Sequence, residues 1–239
     1  MAHPLRCHRL TKTGIKRQDF TIPFSLAGVP EASRFVARES ELEEIHRALG
    51  GDGKRCTIVL RGLGGIGKTQ MAVEYAKRFR DNYSAMFWLN TNDETSLKNS
   101  LAEAAKRILQ HHPSADQLRD IDLSGNINRV VDAVNAWLSQ SDNTRWLAIY
   151  DNYDNPKVRG NTDSAAVDIR RFLPNASQGS VIITTRSSQV RIGYDLPVMK
   201  LKDVHESVEI LSSMSRRTLS LKGGHPCTYN GMVLTRSRS

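Results

Sequence analysis

The run Gly62-Leu63-Gly64-Gly65-Ile66-Gly67-Lys68-Thr69 fits the pattern G-x-x-x-x-G-K-[ST] and constrains this chain more than any other segment. A glycine-rich turn entering a helix aims successive backbone N–H groups inward, a cradle for phosphate oxygens. In such a cradle Lys68 adds a point charge for the outer phosphates, and Thr69 adds a hydroxyl ligand for Mg²⁺. The flanks agree. Cys56-Thr57-Ile58-Val59-Leu60 is short, apolar and β-branched, as a buried parallel strand is. Met71, Tyr75 and Phe79 recur every four residues with Ala72 and Ala76 beside them, one face of an amphipathic helix. The candidate phosphate-binding set is therefore Gly62, Gly64, Gly65, Ile66, Gly67, Lys68, Thr69 and Gln70.

The remaining chain alternates strands with helices. Phe20-Thr21-Ile22-Pro23-Phe24 reads as an extended segment, and Leu42, Ile45 and Leu49 share a helix face that Gly50-Gly51-Asp52-Gly53 ends. Strands are expected at Ala85–Leu89, Trp146–Tyr150, Val181–Thr185 and, shorter, Val198–Leu201. Helices are expected over Leu97, Leu101, Ala105 and Ile108, over Ile127 to Leu138, and from about Glu206 to Met214. The stretch from His111-His112-Pro113 to Gly125 reads as a polar surface loop. Its adjacent histidines lack a carboxylate or cysteine at ligand spacing. The implied fold class is α/β: a P-loop NTPase-like parallel β-sheet sandwiched by helices.

Composition adds exclusions. Among 239 residues, 39% are hydrophobic and 25% charged, ordinary for a chain with a sizeable core. No run approaches the roughly 18 apolar residues of a membrane span, so no membrane partner is expected. Met1 to Gln18 is basic but lacks the apolar stretch of a secretory signal. Cys7, Cys56 and Cys227 are scattered and odd in number, which suits a reducing compartment and a cytoplasmic location. The net charge of +9 resides in residues 1–20 and 212–239, which carry +4 and +5, so the body between them is neutral. Solvated basic tails explain that distribution better than a nucleic-acid footprint. Three segments follow: a disordered leader over 1–19, a nucleotide-binding domain over 20–215, and a disordered tail over 216–239.

Two further positions complete a nucleotide site. In proteins with this loop a second buried strand ends in an acid that holds Mg²⁺. Asp151 follows Trp146-Leu147-Ala148-Ile149-Tyr150 and fills that place, so Thr69 and Asp151 are the expected metal ligands. Arg186 closes the strand Val181–Thr185. If that strand lies between the first and third, its guanidinium faces the γ-phosphate and can tell ATP from ADP.

Four motifs in sequence carry a family resemblance. They are Phe35-Val36-Ala37-Arg38-Glu39; Leu60 to Thr69; Leu147-Ala148-Ile149-Tyr150-Asp151-Asn152; and Gly179-Ser180-Val181-Ile182-Ile183-Thr184-Thr185-Arg186. Over about residues 20–215 the chain resembles the NB-ARC family of STAND-class nucleotide switches. The Asp151-Asn152 pair and Phe172-Leu173-Pro174 most resemble its fungal NLR-like members. The resemblance implies adenine contacts from Phe35, Val36 and Arg38, phosphate contacts from the loop, and a γ-phosphate sensor at Arg186. It also implies ADP or ATP with Mg²⁺ as cofactors, a role in signal transduction and innate immunity, and self-association or NLR-type protein partners.

The chain departs from the family pattern twice. Where the family often has a second acid to orient the attacking water, this chain has Asn152, and an amide cannot accept a proton as a general base. Asp154, three residues on, is the candidate substitute, which makes Asp151, Asp154 and Arg186 the catalytic set and hydrolysis slow or absent. After Arg216 the family continues into a helical subdomain with a Gly-Leu-Pro-Leu motif and then a winged-helix segment. Here the sequence reads Arg217-Thr218-Leu219-Ser220-Leu221-Lys222-Gly223-Gly224. The expectation is a C-terminally truncated module that binds nucleotide weakly and does not switch alone. An active P-loop ATPase or small-molecule kinase, and a degraded scaffold that binds nothing, are the alternatives.

Overall fold

A computed structural model describes residues 19–29, 35, 38–51, 53–123, 125–200, 219–221 and 232–234. In chain order the elements are α1 (Glu39–Leu49), β1 (Cys56–Arg61), α2 (Lys68–Arg78), β2 (Ala85–Asn90), α3 (Glu94–His111), α4 (Asp116–Arg119), α5 (Ile127–Leu138), β3 (Trp146–Asp151), β4 (Ser180–Thr185), β5 (Tyr194–Pro197), β6 (Leu219–Leu221) and β7 (Met232–Leu234). The first five strands form one sheet in the order β2-β3-β4-β1-β5, every pair parallel. The last two pair antiparallel, where the sequence pattern offered no strand.

Parallel strands covered on both faces are apolar along their whole length. β3 and β4 are buried at all six positions each, and their side chains alternate between two cores. Val59, Phe87, Ala148, Tyr150, Val181 and Ile183 face one core, which α3 and α5 cover through Leu97, Leu101, Ile108, Val130, Val134 and Trp137. Ile58, Leu60, Leu147, Ile149 and Ile182 face the other, against Leu42, Ile45, Met71 and Tyr75 of α1 and α2. This is the α/β sandwich expected from the alternation of patterns. The open edge of β2 is dressed by the segment 20–24. Ile22 N–H donates to Ser84 O, and Arg107 of α3 donates to Pro23 O and to Met86 O.

The sequence reading is corrected at two places. The last strand of the sheet is Tyr194–Pro197, not Val198–Leu201, because pairing with β1 begins at Ile58↔Tyr194. Among the described residues beyond Pro197, Val198 N–H alone continues the ladder, to Arg61 O at 2.6 Å, and Met199 beyond it is exposed. Pro197 is tolerated because β5 is an edge strand. The expected surface loop over 111–125 contains α4 and buries Ala115 and Leu118 against the α3–α5 core. Its His112 ring packs 5.9 Å from Trp137, with Nε2 at 3.1 Å from Thr21 O. The helix expected over 206–214 lies outside the described residues.

Candidate functional site

The order β3-β4-β1 places the carboxyl ends of three central strands side by side, where open parallel sheets present their ligand sites. The glycine loop leaves β1 there. Gly65 and Gly67 adopt φ of 72° and 97°, a left-handed conformation that side chains other than glycine's disfavour. A Cβ placed on either meets nothing within 4 Å, so the loop faces open space. Met71 N–H donates to Gly67 O at 2.8 Å and is the first amide to close a turn of α2; the amides of Lys68 and Thr69 before it have no intrahelical carbonyl to reach.

Residues 64–70 of the loop line a cavity of about 500 Å³ together with Asn92, Asn152, Asp154 and Arg186. Lys68 is buried at its edge, its Nζ donating to Gly62 O and Leu63 O at 2.9 Å each. Burial lowers its pKa, Asp154 and Asp151 oppose that shift, and Arg186 adds to it. A buried ammonium held by neutral carbonyls has charge to offer an anion.

Asp151 lies just beneath the cavity, 3% exposed. Its Oδ1 accepts from Thr184 Oγ1 at 2.6 Å and from Thr69 Oγ1 at 2.9 Å. Burial raises its pKa above the ordinary carboxylate value, partly countered by those two hydroxyls. One carboxylate and one hydroxyl from separate elements form an all-oxygen anchor. That suits a Mg²⁺ ion, which holds few protein ligands and keeps water and phosphate for the rest. Thr69 and Asp151 fit that ion, and the loop fits a polyphosphate: its left-handed glycines face open space and its buried ammonium adjoins the cavity. A bound Mg²⁺ there supplies neutralisation of phosphate charge.

Arg186 follows β4, which does lie between β1 and β3. Its side chain extends to the loop: a Cβ on Gly64 would stand 3.5 Å from Arg186 Cδ and 3.7 Å from Nη1. Asp154 grips this residue from behind, accepting from its backbone N at Oδ1 and from its Nε at Oδ2, 2.6 Å each.

Gly64, Gly65, Ile66, Gly67, Lys68, Thr69, Gln70, Asp154 and Arg186 thus come together at one cavity, with Asp151 under it. Gly62 does not line it. This glycine packs against the strand exit instead, since a Cβ there would stand 2.5 Å from Val198 O. Arg38 is also elsewhere, behind the loop: φ 75° turns it in, and its Nη2 donates to Ile66 O and Met199 O at 3.0 Å each. Phe35 packs on the α1–α2 core, and Val36 lies outside the described residues. Sequence reasoning missed Asn92 and Thr184. Asn92 follows the carboxyl end of β2, a position that could have flagged it; Thr184 reads as one more β-branched strand residue.

No family model matches the chain. Over 179 residues, 70% of its length, it is 26% identical to a nucleotide-binding leucine-rich repeat (NLR)-like protein of Hyaloscypha variabilis, of which it spans 17%. Among solved structures it is similar to the ORC2 protein of Aeropyrum pernix, determined as ADPNP–ADP complexes, at TM-score 0.44 and 15% identity over 78% of this chain and 54% of that one. It is also similar to Cdc6p of Pyrobaculum aerophilum, at TM-score 0.47 and 14% identity over 80% and 52%. The chain therefore spans about half of each solved structure and a small part of the NLR-like protein.

Proposed function

We propose that this chain is the nucleotide-binding core of an NB-ARC-type signalling switch that holds ADP or ATP with Mg²⁺ and hydrolyses slowly. One observation carries the reading: Lys68 at the start of α2 and Arg186 after β4 line one glycine-rich cavity, and Asp151 at the end of β3 is tied to its Thr69 by a hydrogen bond. Similarity to an NLR-like protein supports it. So do the four ordered motifs, which also support a cytoplasmic role in innate immunity and assembly with like proteins.

Slow hydrolysis follows from the acids present. Among the described residues lining the cavity Asp154 is the one acid, and both its oxygens are engaged by Arg186. Asn152 beside it offers an amide, which cannot take a proton from water. Such a site distinguishes nucleotides better than it turns them over. Inverting a two-state population takes roughly 5.5 kcal/mol of differential binding. Charge-assisted contacts at about 1.5–3 kcal/mol each put that within reach of Lys68, Arg186 and a Mg²⁺ shell.

The test is thermal unfolding with and without Mg²⁺–ADP. The wild type gains about 2.7 kcal/mol at a hundredfold excess over Kd, while Lys68→Ala gains nothing. An unchanged melting temperature in the wild type would leave only the non-binding scaffold. Phosphate release above about one per second would instead mark a working ATPase.

A further inference from the structure

The turn from Asn152 to Asp154 is built with more care than a simple strand exit requires. Asn152 takes φ 65°, and its N–H donates to Thr184 Oγ1 at 3.0 Å. Tyr153 N–H donates to Thr184 O at 2.9 Å, and Thr185 Oγ1 donates back to Tyr153 O. These bonds lay the turn along the end of β4 and deliver the Asp154 carboxylate to Arg186, which it grips at the backbone amide and at Nε.

The choice of atoms matters. Arginine's five N–H donors sit in a rigid plane, so holding Nε fixes where both Nη groups point without using them. The Arg186 side chain is 61% exposed, and an exposed arginine otherwise loses much of its contact energy to rotamer entropy. Here Nη1 stands beside Gly64, 3.7 Å from where a Cβ on that glycine would lie, and among the described residues Arg186 makes its side-chain hydrogen bond through Nε.

We propose that Asp154 is a positioning residue that aims the Arg186 fork at the terminal phosphate of a bound nucleoside triphosphate and so sets the preference for triphosphate over diphosphate. This rests on the nucleotide-binding reading above. It gives Asp154 a different task from water activation: its carboxylate orders a cation ahead of the ligand, which lowers the cost of binding. A diphosphate does not present the group that the fork addresses.

The experiment is titration of ATPγS and of ADP, each with Mg²⁺, into the wild type, Asp154→Asn, Arg186→Ala and the double variant. The expected result is a fall of about tenfold in the ATPγS-to-ADP affinity ratio for Asp154→Asn. Arg186→Ala lowers the ratio as much or more, and the double variant falls no further than Arg186→Ala. Arg186→Lys, which keeps the charge but lacks Nε, loses the preference with Asp154 intact, so the outcome does not hang on one variant's folding. Asp154→Asn weakening both nucleotides equally, leaving the ratio unchanged, or lowering it further in the Arg186→Ala background would overturn the proposal with the nucleotide reading intact. A wild type that binds neither nucleotide overturns both.

Discussion

Thr69 Oγ1 donates to Asp151 Oδ1 at 2.9 Å, which joins the first turn of α2 to the carboxyl end of β3. The two residues are 82 apart in sequence, one on a helix and the other on the sheet that the helix covers. The bond keeps a buried carboxylate solvated by hydroxyls, and its groups are those that would hold a Mg²⁺ ion in the proposed nucleotide complex. Thr184, on the neighbouring strand, supplies the second hydroxyl.

Asp151→Asn is expected to stabilise the ligand-free protein at neutral pH. Burial raises the folded-state pKa of Asp151, so the folded chain holds this proton more tightly than the unfolded one. Stability therefore falls as pH rises from the ordinary carboxylate value, about 3.9, through the raised folded value, and the penalty is complete above it. The asparagine variant lacks that penalty. Its melting temperature exceeds the wild type's at pH 7, and the difference closes toward pH 4. With ADP present, the Mg²⁺-dependent rise expected of the wild type is lost. Melts at several pH values with and without Mg²⁺–ADP check both halves, and identical curves for the two proteins would contradict them.

Gly62→Ala is expected to destabilise the fold from a position that does not itself line the cavity. The added methyl would stand 2.5 Å from Val198 O and 3.3 Å from Ile66 Cγ2, so the exit of β5 or the loop must shift. Overpacking of this kind costs about 1–3 kcal/mol, several degrees in melting temperature for a domain of this size. Urea unfolding measures the cost. A midpoint equal to the wild type's would show that Val198 yields freely.

Arg107→Ala is expected to loosen the segment that covers the β2 edge. The guanidinium donates to Pro23 O at 2.7 Å and to Met86 O at 3.2 Å, and it lies 5.9 Å from the Phe87 ring centre. Hydrogen bonds from a charged donor are worth about 1.5–3 kcal/mol, and here they tie residues 20–24 to the sheet. Limited proteolysis with mass spectrometry should show cleavage near Pro23 several-fold faster in the variant, while hydrogen exchange in β1 and β4 stays slow.

Local sequence determined the strand–loop–helix unit. The apolar run Cys56–Leu60, the glycines and the four-residue recurrence of Met71, Tyr75 and Phe79 act within a few residues of one another, and no distant partner is needed to read them. The same holds for Trp146–Tyr150 and Val181–Thr185, whose unbroken apolar character announces burial on both faces. Pairing between distant segments was not legible. Val198–Leu201 is at least as apolar as Tyr194–Pro197, and only the register against β1 selects the latter. Ala115 and Leu118 are buried because α3 and α5 pass over them, which no pattern in their own polar stretch reveals. Asp154 reads in the sequence as a candidate water-orienting acid; that the left-handed turn at Asn152 sets it against Arg186 is visible only in the fold. Short-range periodicity encodes which residues turn inward; which inward or charged groups then meet depends on strand order and register, and those are settled by packing across the whole sheet.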